Sequence, residues 1–447
     1  MAGLSEVLPR SVPDPSSPRT RRRFVLQVGA VGLVWLAVLV AAHLVHQQVL
    51  HNWFDLRVYR GAVHWWAGGH PLYDYAYDHG PYGFTYPPFA VLALSPFALG
   101  GFTVGLVLIS AVSLSVVGVA TWRMFGPIAR RAGWPPVFAV ALVLPVVLLM
   151  EPVRETISFG QVNLLLVGLV LADVAAVRRG KWWAGVGIGL AAAIKLTPAV
   201  FVLYLVVTGR WRAAATAVGT ALGVTALAAL VMPGTSYTFW TGALWDTSRV
   251  GRTDKTTNQS LDGLLARVHG GGHAPQSLWA LLAVVVLAVG LWRARRVQLQ
   301  GDELTALTLV GLTANLISPI SWTHHLFWLV PAVFVLVDLA VGRPAASRWD
   351  WLPVSGRRVR LGAGVAATVI TVACCASVNW YFQTDDGLRH DGGLIGTVGE
   401  NSYVLIMLAL VALLPARARM GRPGGQPVPQ PRVGGTWRRA KDSATST

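Results

Sequence analysis

The residues best suited to chemistry stand in short polar segments between long apolar runs. Asp55 follows the first apolar run directly, inside HNWFDLRVYRGAVHWWAGGHPLYD, with Tyr59 one helical turn further on and Trp65 and Trp66 beyond it. A carboxylate there can take a proton from a hydroxyl; it can also simply cap or solvate a helix start. EPVRETISFGQVN brings Glu151, Arg154, Gln161 and Asn163 to the end of another run, a density of polar groups that a simple turn does not require. IKLTP puts Lys195 inside an apolar stretch. An uncompensated charge at the bilayer centre costs at least about 2.5–3.5 kcal/mol, so Lys195 needs an anionic partner unless it snorkels to an interface. TDKTTNQSLDGLLAR offers Lys255, Asn258, Gln259, Ser260 and Arg267, as a binding loop or a solvated one. SPISWTHHLFW sets Trp322, His324 and His325 at the start of a further run. Adjacent histidines on a helix point about 100° apart and no third ligand stands at a standard spacing. Hydrogen bonding to a phosphate suits them better than a metal, with interfacial anchoring as the alternative.

The elements that must hold these residues are membrane helices. Hydrophobic residues make up 54% of the 447 residues and charged residues 13%, about half the charged share of a soluble domain. The formal charge of +17 is thinly spread, without a basic helix or an aromatic-basic sheet pattern, which argues against a nucleic-acid partner. Apolar runs begin with 24–45 and recur near 101–122, 135–150, 161–177, 183–208, 213–232, 277–294, 303–318, 324–342, 360–377 and 400–416, which predicts about eleven or twelve crossings. The first run exceeds a signal-peptide core and reads as a retained helix. Lys195 and Pro198 interrupt 183–208, which predicts two short helices with a break, and 88–100 reads as re-entrant. Arginines at 21–23, 123–131, 178–181, 210–212, 293–296, 343–360 and 417–419 mark the cytoplasmic side, so Asp55, Lys195 and the histidine pair face outward. Residues 1–23 and 417–447 read as disordered cytoplasmic tails around one polytopic domain, 24–416. Cys374 and Cys375, adjacent in an apolar run, read as packing residues. GVGIGL at 185–190 reads as close helix packing rather than a nucleotide loop. Asp385 and Asp386 read as part of a polar loop, and no metal site is called.

The Asp beyond the first helix, GGHPLYD, FTYPPFAVLALSPFA, SFGQVN, GIGLAAAIKLTPAVF, NQS and SPISWTHHLFW, in that order, resemble glycosyltransferase family 87 over roughly residues 24–416. The resemblance implies an all-α integral membrane protein of the GT-C fold, with the catalytic Asp on an outer loop, and no cofactor. Its implied donor is a polyprenyl-phosphate sugar and its acceptor a glycolipid, as in actinobacterial α-(1→2)-mannosyltransferases of phosphatidylinositol mannoside or lipomannan. It also implies Asp55 as base and His324 or His325 near the donor phosphate. Arabinofuranosyltransferases share the fold and many of these motifs.

The residues suit that chemistry. Phosphate is a weakly basic leaving group, so a single carboxylate suffices, and an Asp near its ordinary pKa of about 3.9 is ionised at neutral pH. Lys195, His324, His325, Arg267 and Asn258 are the candidates to meet the charge growing on phosphate. Tyr59, Trp65, Trp66 and Trp322 are candidates to stack on sugar, and Glu151, Arg154, Gln161, Asn163 and Gln259 to bind substrate. The expected enzyme is an inverting mannosyltransferase of the plasma membrane, its site on the periplasmic face. An arabinofuranosyltransferase is the nearest alternative, and a secondary transporter or flippase the alternative of another class.

Overall fold

The computed structural model describes residues 18–49, 51–80, 82–342, 356–383 and 393–417. Its named elements are helical: α1 (Pro18–Val49), α2 (Phe54–Ala67), α3 (Pro88–Ala98), α4 (Phe102–Arg131), α5 (Pro136–Leu149), α6 (Glu151–Phe159), α7 (Asn163–Arg178), α8 (Val186–Ile194) and α9 (Ala199–Val207). There follow α10 (Trp211–Val231), α11 (Pro233–Thr238), α12 (Leu261–Val268), α13 (Gln276–Leu299), α14 (Glu303–Ile317), α15 (Leu329–Ala340), α16 (Arg357–Ala376), α17 (Gly393–Glu400) and α18 (Ser402–Leu413). Strand pairing among the described residues is confined to two isolated bridges, Ala76 with Gly83 and Asn258 with Trp322. Asp385 and Asp386 lie outside the described residues, as does most of each expected tail.

Among the described residues four helices, α4, α10, α13 and α16, are by themselves long and apolar enough to cross a membrane, or six spans if the bent pairs α5–α6 and α17–α18 each count as one. The larger expected number is reached only by adding shorter apolar helices. The physical reason is that several runs are interrupted where they carry polar groups. α5 and α6 meet at 65° and α17 and α18 at 67°. The run 183–208 is two nine-residue helices, α8 and α9, separated at Lys195–Pro198. α3 has eleven residues, about 16 Å of helix, too short to cross. α1 keeps an exposed apolar surface along Val25, Leu33, Leu36 and Val40, which suits lipid contact.

Two polar clusters occupy opposite ends of α14. At its start, Arg210 forms a bidentate pair with Glu303 at 2.6 and 2.5 Å. Next to it, Asp302 and Asp338, both essentially inaccessible, share Arg417, and Asp338 also takes Arg131. These arginines belong to the basic loops assigned to the cytoplasm, and Arg417, placed in the tail by composition, is packed into the protein body. At the other end, about 22 Å along the fifteen-residue helix, Asn315 donates to the His325 carbonyl at 3.3 Å.

α8 is held between these levels. Asp173 on α7 accepts from the Gly185 and Ile188 backbone N–H groups at 2.6 and 3.1 Å, satisfying donors that a helix start leaves free. At the far end, Lys195 reaches Asn163, the first residue of α7. α8 lies so close to α10 that a Cβ on Gly189 would meet the Ala217 carbonyl at 2.4 Å. The GVGIGL glycines thus serve helix packing.

Candidate active site

Asp55 enters α2 through an unusual turn. Asn52 and Trp53 both adopt left-handed φ, 47° and 53°, a conformation costly for residues with side chains. The end of α6 holds them there. The Ser158 hydroxyl accepts from the His51 N–H at 3.1 Å, and the Ser158 carbonyl from the Trp53 N–H at 2.9 Å. Gly160, at φ 64°, lets the chain pass where a Cβ would sit 2.7 Å from the Leu56 Cβ. The next residue, Gln161, then donates its amide to Asp55 Oδ2 at 3.0 Å.

The cation side is built on the break between α8 and α9. Lys195 Nζ donates to Asn163 Oδ1 at 3.1 Å and lies 3.0 Å from His325 Nε2, with the Tyr86 ring 5.3 Å away. The Trp322 N–H donates to His325 Nδ1 at 3.2 Å, which makes Nε2, beside Lys195, the nitrogen that bears the ring's hydrogen. α6 carries the histidine loop: Thr156 donates to the His324 carbonyl at 2.8 Å, Thr323 donates to Glu155, and Phe159 packs on His324 at 4.7 Å. The Asn163 amide donates to the same carbonyl at 3.0 Å. Lys195 was expected to need an anionic partner; it has neutral ones in contact and Asp55 as its electrostatic counterpart.

Asp55, Tyr59, Gln161, Lys195, Trp322, His324 and His325 line one cavity of about 560 Å³. Asn163 is not part of this lining; it borders a separate, smaller void of about 60 Å³ that Lys195 and His325 also border. Burial pushes the Asp55 carboxyl up to about 7, against the opposing pull of Lys195 and of the Gln161 amide. The sequence expectation of an ordinary aspartate is corrected accordingly. A base with this proton affinity is better matched to proton transfer near neutral pH than one near 4.

Other expected substrate residues do structural work outside the cavity. Arg267, 5% exposed, donates to the Lys255 and Asn258 carbonyls at 2.7 and 2.9 Å and to Asn401 at 3.0 and 2.7 Å. Asn258 joins Thr253, Pro319 and Ser321, and Gln259 joins Thr256 and Glu400 and accepts from the Tyr403 and Val404 N–H groups. The NQS segment therefore ties the outer loop to the bend between α17 and α18. Glu151 accepts from Trp380 at 2.5 Å and from Tyr403, while Arg154 donates to the Leu149 carbonyl and Ser377. Trp65 donates to the Pro71 carbonyl at 2.9 Å and stacks on His70. None of these expected substrate residues lines the cavity.

Sequence reasoning missed Tyr86, His51, Glu155, Arg249 and Trp380, which also line the cavity. Tyr86 alone carried a signal, since the prolines after it hold it extended at the mouth of α3. Among the described residues no group of three or more His, Cys, Asp or Glu is placed to hold a metal.

The model of glycosyltransferase family 87 matches residues 84–319. A polyprenol-phosphate-mannose-dependent α-(1-2)-phosphatidylinositol mannoside mannosyltransferase of Mycolicibacterium smegmatis is 38% identical over 348 residues, 71% of this chain and 75% of the relative. The chain belongs to glycosyltransferase family 87. A Mycobacterium tuberculosis protein of the same name is 34% identical, covering 68% of this chain and 75% of its own. A polyprenol-phosphate-mannose-dependent α-(1-2)-phosphatidylinositol pentamannoside mannosyltransferase of M. tuberculosis is 36% identical, covering 77% and 79%. No solved structure matches. The expected membrane glycosyltransferase class therefore stands, and the all-helical fold with its apolar spans is that of a multi-pass membrane member of the family.

Proposed function

We propose that this family 87 enzyme transfers mannose from a polyprenyl-phosphate-mannose donor to a lipid-linked mannoside, forming an α-(1→2) linkage with inversion at the anomeric carbon. The observation that carries the reading is the cavity in which Asp55 faces Lys195 and the histidine pair. The names of the relatives supply the sugar, the linkage and the phosphatidylinositol mannoside class of acceptor. The basic loops at the opposite end of α14 favour a plasma-membrane enzyme with its site on the outer face.

In this mechanism the acceptor hydroxyl oxygen attacks the anomeric carbon while the bond from that carbon to the phosphate oxygen breaks. The hydroxyl proton passes to Asp55, and the electron pair of the broken bond leaves with polyprenyl phosphate. Lys195, held by Asn163, and His325, held by the Trp322 N–H, meet the charge developing on phosphate. His324 Nε2, buried and without a hydrogen-bond partner among the described residues, stands beside them. Tyr59, Trp322 and Tyr86 form the wall against which the sugar lies.

The test is transfer of labelled sugar to a lipid extract by membranes containing the protein, with polyprenyl-phosphate-mannose and decaprenyl-phosphate-arabinose as parallel donors. Mannose transfer that falls by at least about 10²-fold in Asp55→Ala at equal protein level is the expected result. Transfer of arabinose alone replaces the sugar; undiminished mannose transfer by the variant removes Asp55 as base.

A further inference from the structure

We infer that Gln161 is a positioning residue that fixes the direction of the Asp55 carboxylate and leaves one of its oxygens open to the cavity to act as the base. The inference rests on the reading of Asp55 as base, but it changes the role of Gln161 from substrate contact to control of the catalytic group.

The direction of the Gln161 side chain is dictated by a group that can only donate. The Val162 backbone N–H lies 2.9 Å from Gln161 Oε1. Turning the amide over would set its NH₂ against that N–H, two donors face to face, and would point Oε1 at a carboxylate. The Tyr86 hydroxyl at 3.1 Å and the Tyr59 hydroxyl also meet Oε1, and the two hydroxyls lie 3.1 Å apart. With its oxygen so occupied, the amide can present only N–H to Asp55, which it does at Oδ2. Among the described residues Oδ1 receives no hydrogen bond, which leaves it for an acceptor hydroxyl in the cavity.

The backbone around the amide serves the same end. Ser158 grips the left-handed turn at Asn52 and Trp53, and Gly160 admits Leu56. Residues 158–161, the SFGQ of the sequence, thus hold both the backbone and the side chain of Asp55. Without the amide, burial opposes ionisation with less to offset it, so the base would be protonated at neutral pH.

Two variants of the full-length protein separate this role from sugar binding or mere structure. Gln161→Met removes the donor. The acidic limb of the kcat/KM profile should then move up by about one pH unit, with kcat reduced and donor KM unchanged. Gln161→Glu keeps an acceptor for Val162, Tyr59 and Tyr86, and so protects folding if the first variant fails to accumulate. Its new carboxyl shares a proton with Asp55 and donates only while protonated, so its activity maximum should move towards acid pH. Shifts in opposite directions support the inference. Profiles with unmoved limbs, or a donor or acceptor KM that rises while kcat holds, overturn it. Asp55→Ala measured alongside keeps the two readings apart: an active Asp55→Ala enzyme removes the base itself, whereas an inactive one beside unshifted Gln161 profiles removes only the positioning role.

Discussion

At the residue scale, the proton on Asp55 governs both activity and stability. Burial raises its pKa to about 7, so kcat/KM should rise about tenfold per pH unit below that value. A profile already flat at pH 5 would contradict the placement. The same shift has the opposite sign for folding. A carboxyl held above its unfolded pKa stabilises the fold below that unfolded value, and the contribution is lost as pH rises through about 7. Asp55→Asn should therefore be inactive yet unfold at a higher temperature than the parent near pH 8, with the gain gone near pH 4. Thermal unfolding in detergent at both pH values checks this, and a parent as stable as the variant near pH 8 would count against it.

At the element scale, α8 and the NQS segment are frames for the site. Gly189→Ala would normally favour a helix, but its methyl group meets the Ala217 carbonyl on α10. The expected cost is about 1–3 kcal/mol of stability, and donor KM should rise because Lys195 caps the displaced helix. Arg267 yields the contrasting outcome. Arg267→Met strands the carbonyls and the Asn401 side chain that it now satisfies, so about 2–4 kcal/mol of stability should be lost, while donor KM in the folded fraction is unchanged. A large rise in donor KM without loss of stability would return Arg267 to the phosphate.

At the scale of the whole molecule, the cavity and the buried ion pairs are separated by the length of α14. Arg417→Met leaves Asp302 and Asp338 short of a partner at positions with no access to water, at a cost of about 3–5 kcal/mol. Combining it with Asp302→Asn should restore part of that loss. Transfer kinetics of the surviving protein should match the parent, because the cluster lies at the end away from Asp55. Unfolding curves and KM values for the single and double variants test this separation.

The chain alone determined the solvent it folds in, because more than half of its residues are hydrophobic and its charges stand between the apolar runs. It also disclosed Asp55, Lys195 and the histidine pair, since a charge or paired imidazole beside a membrane run demands a partner or a purpose. It showed the break at Lys195–Pro198 for the same reason. What it could not disclose was which polar groups saturate one another. Arg267 finds its partner 134 residues away in Asn401, and Asp55 finds Gln161 106 residues away, yet one pairing closes a scaffold and the other arms a base. Only the tertiary structure decided between these fates, because the cost of burying a polar group depends on what faces it in space and is blind to its place in the chain.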